Sequence, residues 1–482
     1  MKSLGTILDP VDRRLGDGVD RLVCMHHHRR LRRLGWAHAL NGAHEDGREG
    51  YPARDGNRVR VLVDGEEALA AMVAAIAGAR SHVHIAGWFA SPDFRPTREP
   101  GAPTLRELLA DVAERIPVRV LLWAGPPVPV FKPTRRMTRT ARDGFTSGSR
   151  VQCVLDRRER TMHCHHEKLV VVDDEVAFVG GIDLTDLAGD RLDSPAHRSD
   201  RALGWHDAAT ELHGPVVADV ADHFARRWSE VAGEPLPEAV PRPAAGGSCV
   251  QVVRTVPERT YQFAPRGEFT ILETYLRALS DARSLIYLEN QFLWSSEVVD
   301  VLADKLREPP QERFRLLVLL PRRPNDGADT TRGQLSRLMD ADAGRGRLLA
   351  ATVSAYTQGR TAPLYVHAKI GIVDDRWLTV GSANLNEHSL FNDTEVNVVI
   401  RDADLIRETR LRLWSEHLQL PEADVSGDPA QVIDEIWRPV AVEQSRRERS
   451  GAPRTHRLAL LPNVSRRAER LQGPLRGLLV DG

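Results

Sequence analysis

The chain has 482 residues, 41% of them hydrophobic and 28% charged, with a net charge of −1. This is ordinary soluble globular composition, and the length is too great for one ordinary core and suits two domains. The near-zero charge excludes a global basic field that would draw the chain to nucleic acid or anionic lipid, and no apolar run approaches the roughly 20 residues that span a bilayer.

Residues 1–57 form a polar N-terminal segment without the apolar region of a signal peptide, so none is expected. Within it, His26, His27 and His28 precede Arg29, Arg30, Arg32 and Arg33. Such a stretch could bind a metal or anionic lipid, but a solvated helix or tail is the better expectation. The pattern then predicts a strand over 58–63, a buried helix over 66–79 and a strand over 82–88. A helix over 105–113 and a strand over 118–123 follow, then strands over 168–172 and 176–179. A further strand over 202–212 and a helix over 216–228 close the first half.

Residues 233–247 are a proline- and glycine-rich linker. The second half repeats the plan: strand 250–254, helix 269–282, strand 284–289, helix 298–306 and strand 315–320. Strands 369–373, 377–380 and 395–400 and a helix over 403–418 complete it. Alternating strands and helices predict an α/β fold with a mostly parallel or mixed sheet. The expected domains are 58–232 and 248–420, with a C-terminal helix and an arginine-rich, irregular tail over 421–482. Cys24, Cys153, Cys164 and Cys249 lack paired spacing, so a disulfide framework is not expected and a reducing cytoplasm fits.

The chemistry is carried by a duplicated H-x-K-x4-D pattern. One copy is His166, Lys168 and Asp173; the other, 201 residues on, is His367, Lys369 and Asp374. The chain has 18 histidines and five lysines, from which chance gives about 0.2 H-x-K pairs, so two copies in register mark a tandem repeat. Asp174, Val179-Gly180 and Leu184 meet Asp375, Val380-Gly381 and Leu385 at the same shift, and Asp183 meets Asn384. Residues i and i+2 of a strand project to one side, so each copy aims its histidine and lysine together. Two histidines and two lysines suit breaking a phosphodiester without a metal. One imidazole attacks phosphorus, the other protonates the leaving oxygen, and the lysines hold the phosphoryl oxygens. Each half supplies one histidine, so the site is expected at the interface of the halves, near a pseudo-twofold axis.

These residues resemble the phospholipase D superfamily, over roughly residues 58–420. IAGWFASPDF (85–94), GGIDL (180–184), GWHDAATELHGP (204–215), GSANLN (381–386) and NDTEVNVVI (392–400) are similar to further segments of that family. IYLENQFLW (286–294) is similar to the ENQ segment of true phospholipases D, from which cardiolipin synthases usually differ. The resemblance implies two tandem α-β-α sandwich domains and a phosphohistidine intermediate. It favours His166 as nucleophile and His367 as acid/base, with Lys168, Lys369 and Asn384 as phosphate ligands. It implies that Asp207 and Glu395 accept a proton from the far nitrogens of His166 and His367. Asp183, in the place of Asn384, is polar support. Asp173 and Asp374 complete the catalytic signature but are expected to orient the turn rather than move protons. The first half departs from symmetry in a longer Asp- and Arg-rich insertion between Leu184 and Trp205 that is expected to cover the site.

His163, Cys164, His165 and His166 are metal-ligand types, but adjacent residues of a strand point to opposite faces, so no metal or other cofactor is expected. Trp88, Phe292 and Trp294 fit either a lipid-lining or a core role. The expected function is a phosphodiesterase that cleaves or transfers the phosphatidyl group of a glycerophospholipid, with water or an alcohol as acceptor. Localisation is expected to be cytoplasmic, with peripheral membrane contact and no nucleic-acid partner. The alternatives are a cardiolipin synthase-like phosphatidyltransferase, a nuclease and a non-catalytic membrane-docking scaffold.

Overall fold

The computed structural model describes residues 18, 21–41, 50–127, 132–158, 163–194, 203–323, 328–357 and 359–462. A helix over residues 21–34 (α1) comes first. The first half then runs β1 (Arg54–Val63), α2 (Gly65–Ala77), β2 (Val83–Gly87), α3 (Leu105–Ala113), β3 (Val118–Trp123), α4 (Arg135–Thr146) and β4 (Gln152–Asp156). It continues with β5 (Leu169–Val172), β6 (Val176–Gly180), β7 (Gly204–His206), β8 (Ala208–His213) and α5 (Val217–Ala232). The second half runs β9 (Ser248–Val256), β10 (Glu268–Phe269), α6 (Thr270–Asp281), β11 (Leu285–Glu289), α7 (Ser296–Arg307), β12 (Arg315–Leu319), α8 (Ala328–Asp342) and β13 (Leu348–Thr357). It ends with β14 (Arg360–Val366), β15 (Ile370–Val373), β16 (Trp377–Gly381), β17 (Glu395–Arg401) and α9 (Ala403–Leu418).

The two halves build the same mixed sheet. The first has the order β4-β3-β2-β5-β6-β8-β1, with β2, β3 and β4 parallel and the other pairs antiparallel. The second has the order β13-β12-β11-β15-β16-β17-β9 with the same directions. Parallel neighbours need crossover connections, and α3, α4, α7 and α8 supply them. The sheets meet where β1 pairs with β9. One apolar core joins both sheets through α5 and α9, and Phe224, Trp228 and Trp414 are buried in it. Burying side chains of this size contributes roughly 1.5–3 kcal/mol each. Separate cores lie under α2 and α3 and under α6 and α7.

The sequence pattern missed α4, β4, α8 and β13. In α4 only Thr138, Ala141 and Phe145 are buried, too thin an apolar stripe to announce a helix. The expected strand over 202–212 is two strands, because the chain changes partners at Asp207. β7 pairs with β14 of the other half, and β8 returns to its own sheet between β1 and β6. In the described part of the tail, Arg438–Arg449 is helical and Leu458–Leu460 adds an edge strand to β13, where an irregular chain was expected; residues 463–482 lie outside the described residues. The His/Arg stretch near the N-terminus is not merely a solvated helix. In α1, His27 is 5% and Arg30 5% exposed, because His27 bonds Glu297 at 2.8 Å and Arg30 pairs with Glu258 at 2.5 Å. Among the described residues no helix is long and apolar enough to cross a membrane.

Candidate active site

Each motif strand starts by running beside the other half. His165 bridges Thr394, and His166 N donates to Thr394 O at 2.9 Å. In the mirror arrangement Val366 pairs with His206, and His367 N donates to His206 O at 2.8 Å. The residue after Thr394 is Glu395 and the residue after His206 is Asp207. Each histidine therefore meets a carboxylate from the opposite half. His166 Nδ1 lies 2.9 Å from Glu395 Oε1, and His367 Nδ1 lies 2.6 Å from Asp207 Oδ2. This crosses the order expected from sequence, in which Asp207 stood with His166 and Glu395 with His367. The local handover of strands is invisible in a pattern read half by half.

All four motif side chains are buried, His166 at 3%, Lys168 at 4%, His367 at 4% and Lys369 at 1% exposure. Each lysine is turned back by the carbonyl of its own histidine, at 2.6 Å for Lys168 and 2.5 Å for Lys369. Their further contacts differ. Lys168 Nζ pairs with Asp183 Oδ2 at 3.3 Å and lies 6.0 Å above the Trp88 ring. Lys369 Nζ donates to Gln291 Oε1 at 3.3 Å, and Asn384 Nδ2 donates to the same oxygen at 3.3 Å. Strand register places Trp88 where the second half has Gln291. Trp88 thus lies beneath a motif lysine, whereas Phe292 packs on Trp294, whose indole N–H donates to Thr331 at 2.8 Å.

Burial dominates the protonation of these dyads. It pushes Asp207 up to about 6, against the pull of Lys369, and Glu395 up to about 7, against Lys168 and the hydroxyls of Ser382 and Ser389. Burial, then the cations Lys369, Arg191 and Lys168, hold His367 well below the usual histidine range. Just above neutral pH the second dyad is therefore a neutral imidazole facing a carboxylate. Its Nδ1–H donates to Asp207, leaving Nε2 as the basic nitrogen.

Asp173 and Asp374 are not in this centre, and their placement corrects their inclusion in the catalytic set. Each lies beyond the far end of its strand, five residues from the lysine and so about 16 Å away along an extended chain. Asp173 accepts the backbone N–H groups of Arg80, Ser81 and His82 at 2.8, 2.7 and 2.9 Å. Asp374 accepts those of Arg283, Ser284 and Leu285 at 2.6, 2.7 and 2.8 Å. Both clamp the start of the neighbouring strand, β2 or β11, which runs antiparallel to the motif strand.

The four adjacent His and Cys residues go to separate places. His165 Nε2 lies 3.1 Å from Asp156 and its Nδ1 2.8 Å from Thr394, His166 faces Glu395, Cys164 is buried in a cluster with Trp88 and Trp123, and His163 Nδ1 lies 3.6 Å from Asp393. His163, His388 and Asp393 have ligand atoms within 4.8 Å of one another and are of the type a divalent transition metal takes. A second histidine cluster is an ion network instead. Glu289 accepts His206 Nε2 at 2.6 Å and His417 Nε2 at 2.8 Å, while His206 Nδ1 faces Asp64 at 2.8 Å. Burial opposes a charge on His206, but Asp64 and Glu289 hold it well above the usual range. These two carboxylates favour its protonated form.

Gln291, Ser382, Ser389, Trp205 and Arg191 also belong to the surroundings of the centre, and sequence reasoning assigned them no role. Gln291 and Ser382 fall inside segments that had a family look, so a signal existed. Arg191 has no local motif.

Comparison with known proteins agrees with this architecture. Residues 75–204 match a family described as Phospholipase D, and residues 275–415 one described as Cardiolipin synthase, PLD-like domain. Phospholipase D A of Dictyostelium discoideum is 27% identical over 465 residues, an alignment that takes in 77% of this chain and 36% of that protein. Phospholipase D2 of Bos taurus is 26% identical over 482 residues, taking in 73% of this chain and 50% of that one. The chain thus spans half or less of the length of these two relatives. The phosphatidylserine synthase of Haemophilus influenzae Rd KW20 shares the fold, with a TM-score of 0.51 at 12% identity, covering 81% of this chain and 94% of that one. Two matched domains, one sheet plan used twice and a motif pair brought together by exchanged strands lead to one assignment: the chain belongs to the phospholipase D superfamily.

Proposed function

We propose that the protein is a phosphodiesterase of the phospholipase D type, which cleaves or transfers the phosphatidyl group of a glycerophospholipid. The observation that carries this reading is the pair of crossed dyads, His166–Glu395 and His367–Asp207, set beside two buried lysines. With Nδ1 of each ring committed to a carboxylate, the chemistry falls to Nε2. His166 Nε2 attacks phosphorus and a P–N bond forms. The P–O bond to the headgroup breaks, and His367 gives the departing oxygen its proton. Water or a second alcohol then loses a proton to His367 and displaces His166, which restores both imidazoles.

His367 is neutral in the free site, so it must gain a proton before it can give one. An anionic phosphodiester entering beside it favours that protonation. Lys168, Lys369 and Asn384 carry the growing charge on the phosphoryl oxygens. Contact with lipid is peripheral in this reading. Failure to sediment with vesicles of any composition would count against it.

The test is incubation with mixed phosphatidylcholine and phosphatidylglycerol vesicles plus a primary alcohol, alongside His166→Ala and His367→Ala. Phosphatidyl-alcohol from the wild type, lost about 10⁴-fold in each variant, supports the route. A folded wild type that yields no product sinks it. A second reading, transfer to phosphatidylglycerol, is favoured by the family description matched over residues 275–415. Cardiolipin and glycerol released from phosphatidylglycerol vesicles alone would select it. The ENQ segment at 289–291, similar to that of true phospholipases D, speaks against the cardiolipin synthase reading.

A further inference from the structure

The connection from β6 to β7 is longer than its counterpart from β16 to β17 and carries Arg191. The backbone around Arg191 is fixed from several sides. Glu66 N donates to Asp193 O at 2.9 Å, Asp190 N donates to Leu203 O at 2.8 Å, and the Asp190 carboxylate pairs with Arg98 at 2.5 Å. Gly65 lies so close to the Arg191 carbonyl that a Cβ there would not fit.

From this anchor the side chain turns inward. Arg191 is 4% exposed, and its guanidinium lies over Trp205, 3.2 Å from the ring centroid. Trp205 in turn packs on His367 with centroids 4.4 Å apart. Arg191 Nη2 donates to Leu187 O at 3.3 Å, while Nε and Nη1 have no hydrogen-bond partner. The nearby carboxylates are committed elsewhere, Asp183 to Lys168 and Asp207 to His367. Burial outweighs their pull and brings the guanidinium down to about 10. A buried charge with two idle N–H donors costs several kcal/mol unless an acceptor completes it. Its charge acts on Asp183, Asp207 and His367, so the guanidinium stands beside the reaction centre.

We propose that Arg191 is an anion-binding residue of the active site and takes an oxyanion of the substrate on the His367 side. The inference deepens the phosphodiesterase reading and rests on it for the identity of that anion. The planar fork of arginine suits either a phosphoryl oxygen pair or a carboxylate or phosphate carried by the headgroup alcohol. The corresponding connection of the second half, residues 382–394, contains no arginine or lysine, so the insertion supplies a cation that this connection lacks.

Binding of inorganic phosphate, measured by calorimetry on the full chain, tests this without turnover. Arg191→Gln is expected to weaken phosphate about tenfold or more, and Arg191→Lys, which keeps the charge and loses the fork, to fall between. Thermal melting checks that each variant is folded. Phosphate affinity unchanged in Arg191→Gln, or no phosphate uptake by the wild type at millimolar concentration, overturns the proposal. Should Arg191→Gln not fold, unchanged affinity in Arg191→Lys overturns it. Turnover then separates the two sources. A KM rise equal for phosphatidylglycerol and phosphatidylserine assigns the phosphoryl group, and a larger rise for phosphatidylserine assigns the headgroup carboxylate. An enzyme inactive on every phospholipid defeats the functional reading and leaves the phosphate result standing.

Discussion

The two half-sites are near copies in backbone and differ in chemistry. Both use the same strand order, the same exchange of strands and the same aspartate clamp behind the motif. Around the histidines the side chains diverge. Glu395 reaches His166 with one more methylene than Asp207 has, and its carboxylate also accepts Ser382 and Ser389 at 2.5 Å each. Asp207 reaches His367 from closer in. Its neighbour Gly181, in the place of Ser382, has no room for a Cβ against the Asp207 carboxylate. Carboxylate length and the residue beside it are matched in each half. Equal dyads are thus reached by unequal parts, and a duplicated backbone does not impose duplicated electrostatics.

The sharpest way to break this comparison is to cut one dyad at a time. Glu395→Gln and Asp207→Asn are each expected to lower turnover about 10²–10⁴-fold, because the tautomer of the paired imidazole is lost. The crossing itself is read by NMR of the Nδ1–H protons. Glu395→Gln should move the His166 signal and leave that of His367, and Asp207→Asn should do the reverse. The opposite assignment would mean that carboxylates serve their own halves and that the strand exchange is wrong.

Protonation sharpens the comparison next. Asp207 near 6 and Glu395 near 7 are both raised by burial, so each ionises as pH rises through its own value. Single-turnover rates should climb between about pH 5 and 7, at least tenfold per unit at the foot, and level off above. Stability carries the opposite sign. A carboxyl raised on folding binds its proton more tightly in the native state, so its contribution is full below the unfolded pKa and lost as pH passes the folded one. The dyads therefore cost stability where they are active. Glu395→Gln should remove the upper part of the rate limb and flatten the fall in stability between about pH 4.5 and 7, seen in denaturant midpoints. A limb left in place by both amide variants would assign it to other groups.

Much of this fold was legible because the core strands are short apolar runs bounded by turns, and a repeat was visible at constant shift. What stayed hidden follows from the same physics. α4 buries too few apolar residues to leave a periodic trace, and the break at Asp207 is set by a partner strand far away in sequence. The motif residues could be named from spacing, but the pairing of His166 with Glu395 required the exchange of strands. Asp173 and Asp374 were legible as turn residues, and the left-handed φ of 58° and 54° at these positions agrees. Both halves should respond alike when the clamp is removed. Asp173→Ala or Asp374→Ala strands three backbone N–H groups, with an expected loss of about 2–3 kcal/mol in denaturant unfolding. KM in the folded fraction should hold. A large KM change with little loss of stability would return these aspartates to the reaction.

The mildest test concerns the lysines. Asp183 is 3% exposed and its carboxylate sits 3.3 Å from Lys168, whereas the corresponding Asn384 is neutral and shares Gln291 with Lys369. The first half therefore offers a phosphate less net positive charge than the second. Asp183→Asn makes the halves alike and removes one buried negative charge, so inorganic phosphate should bind about three- to tenfold tighter, with little change in turnover. Asparagine is close to aspartate in shape, so packing is kept and the charge alone is tested. Weaker phosphate binding in this variant would mean that Lys168 needs Asp183 to hold its position. The asymmetry between the halves would then be one of geometry, with charge following from it.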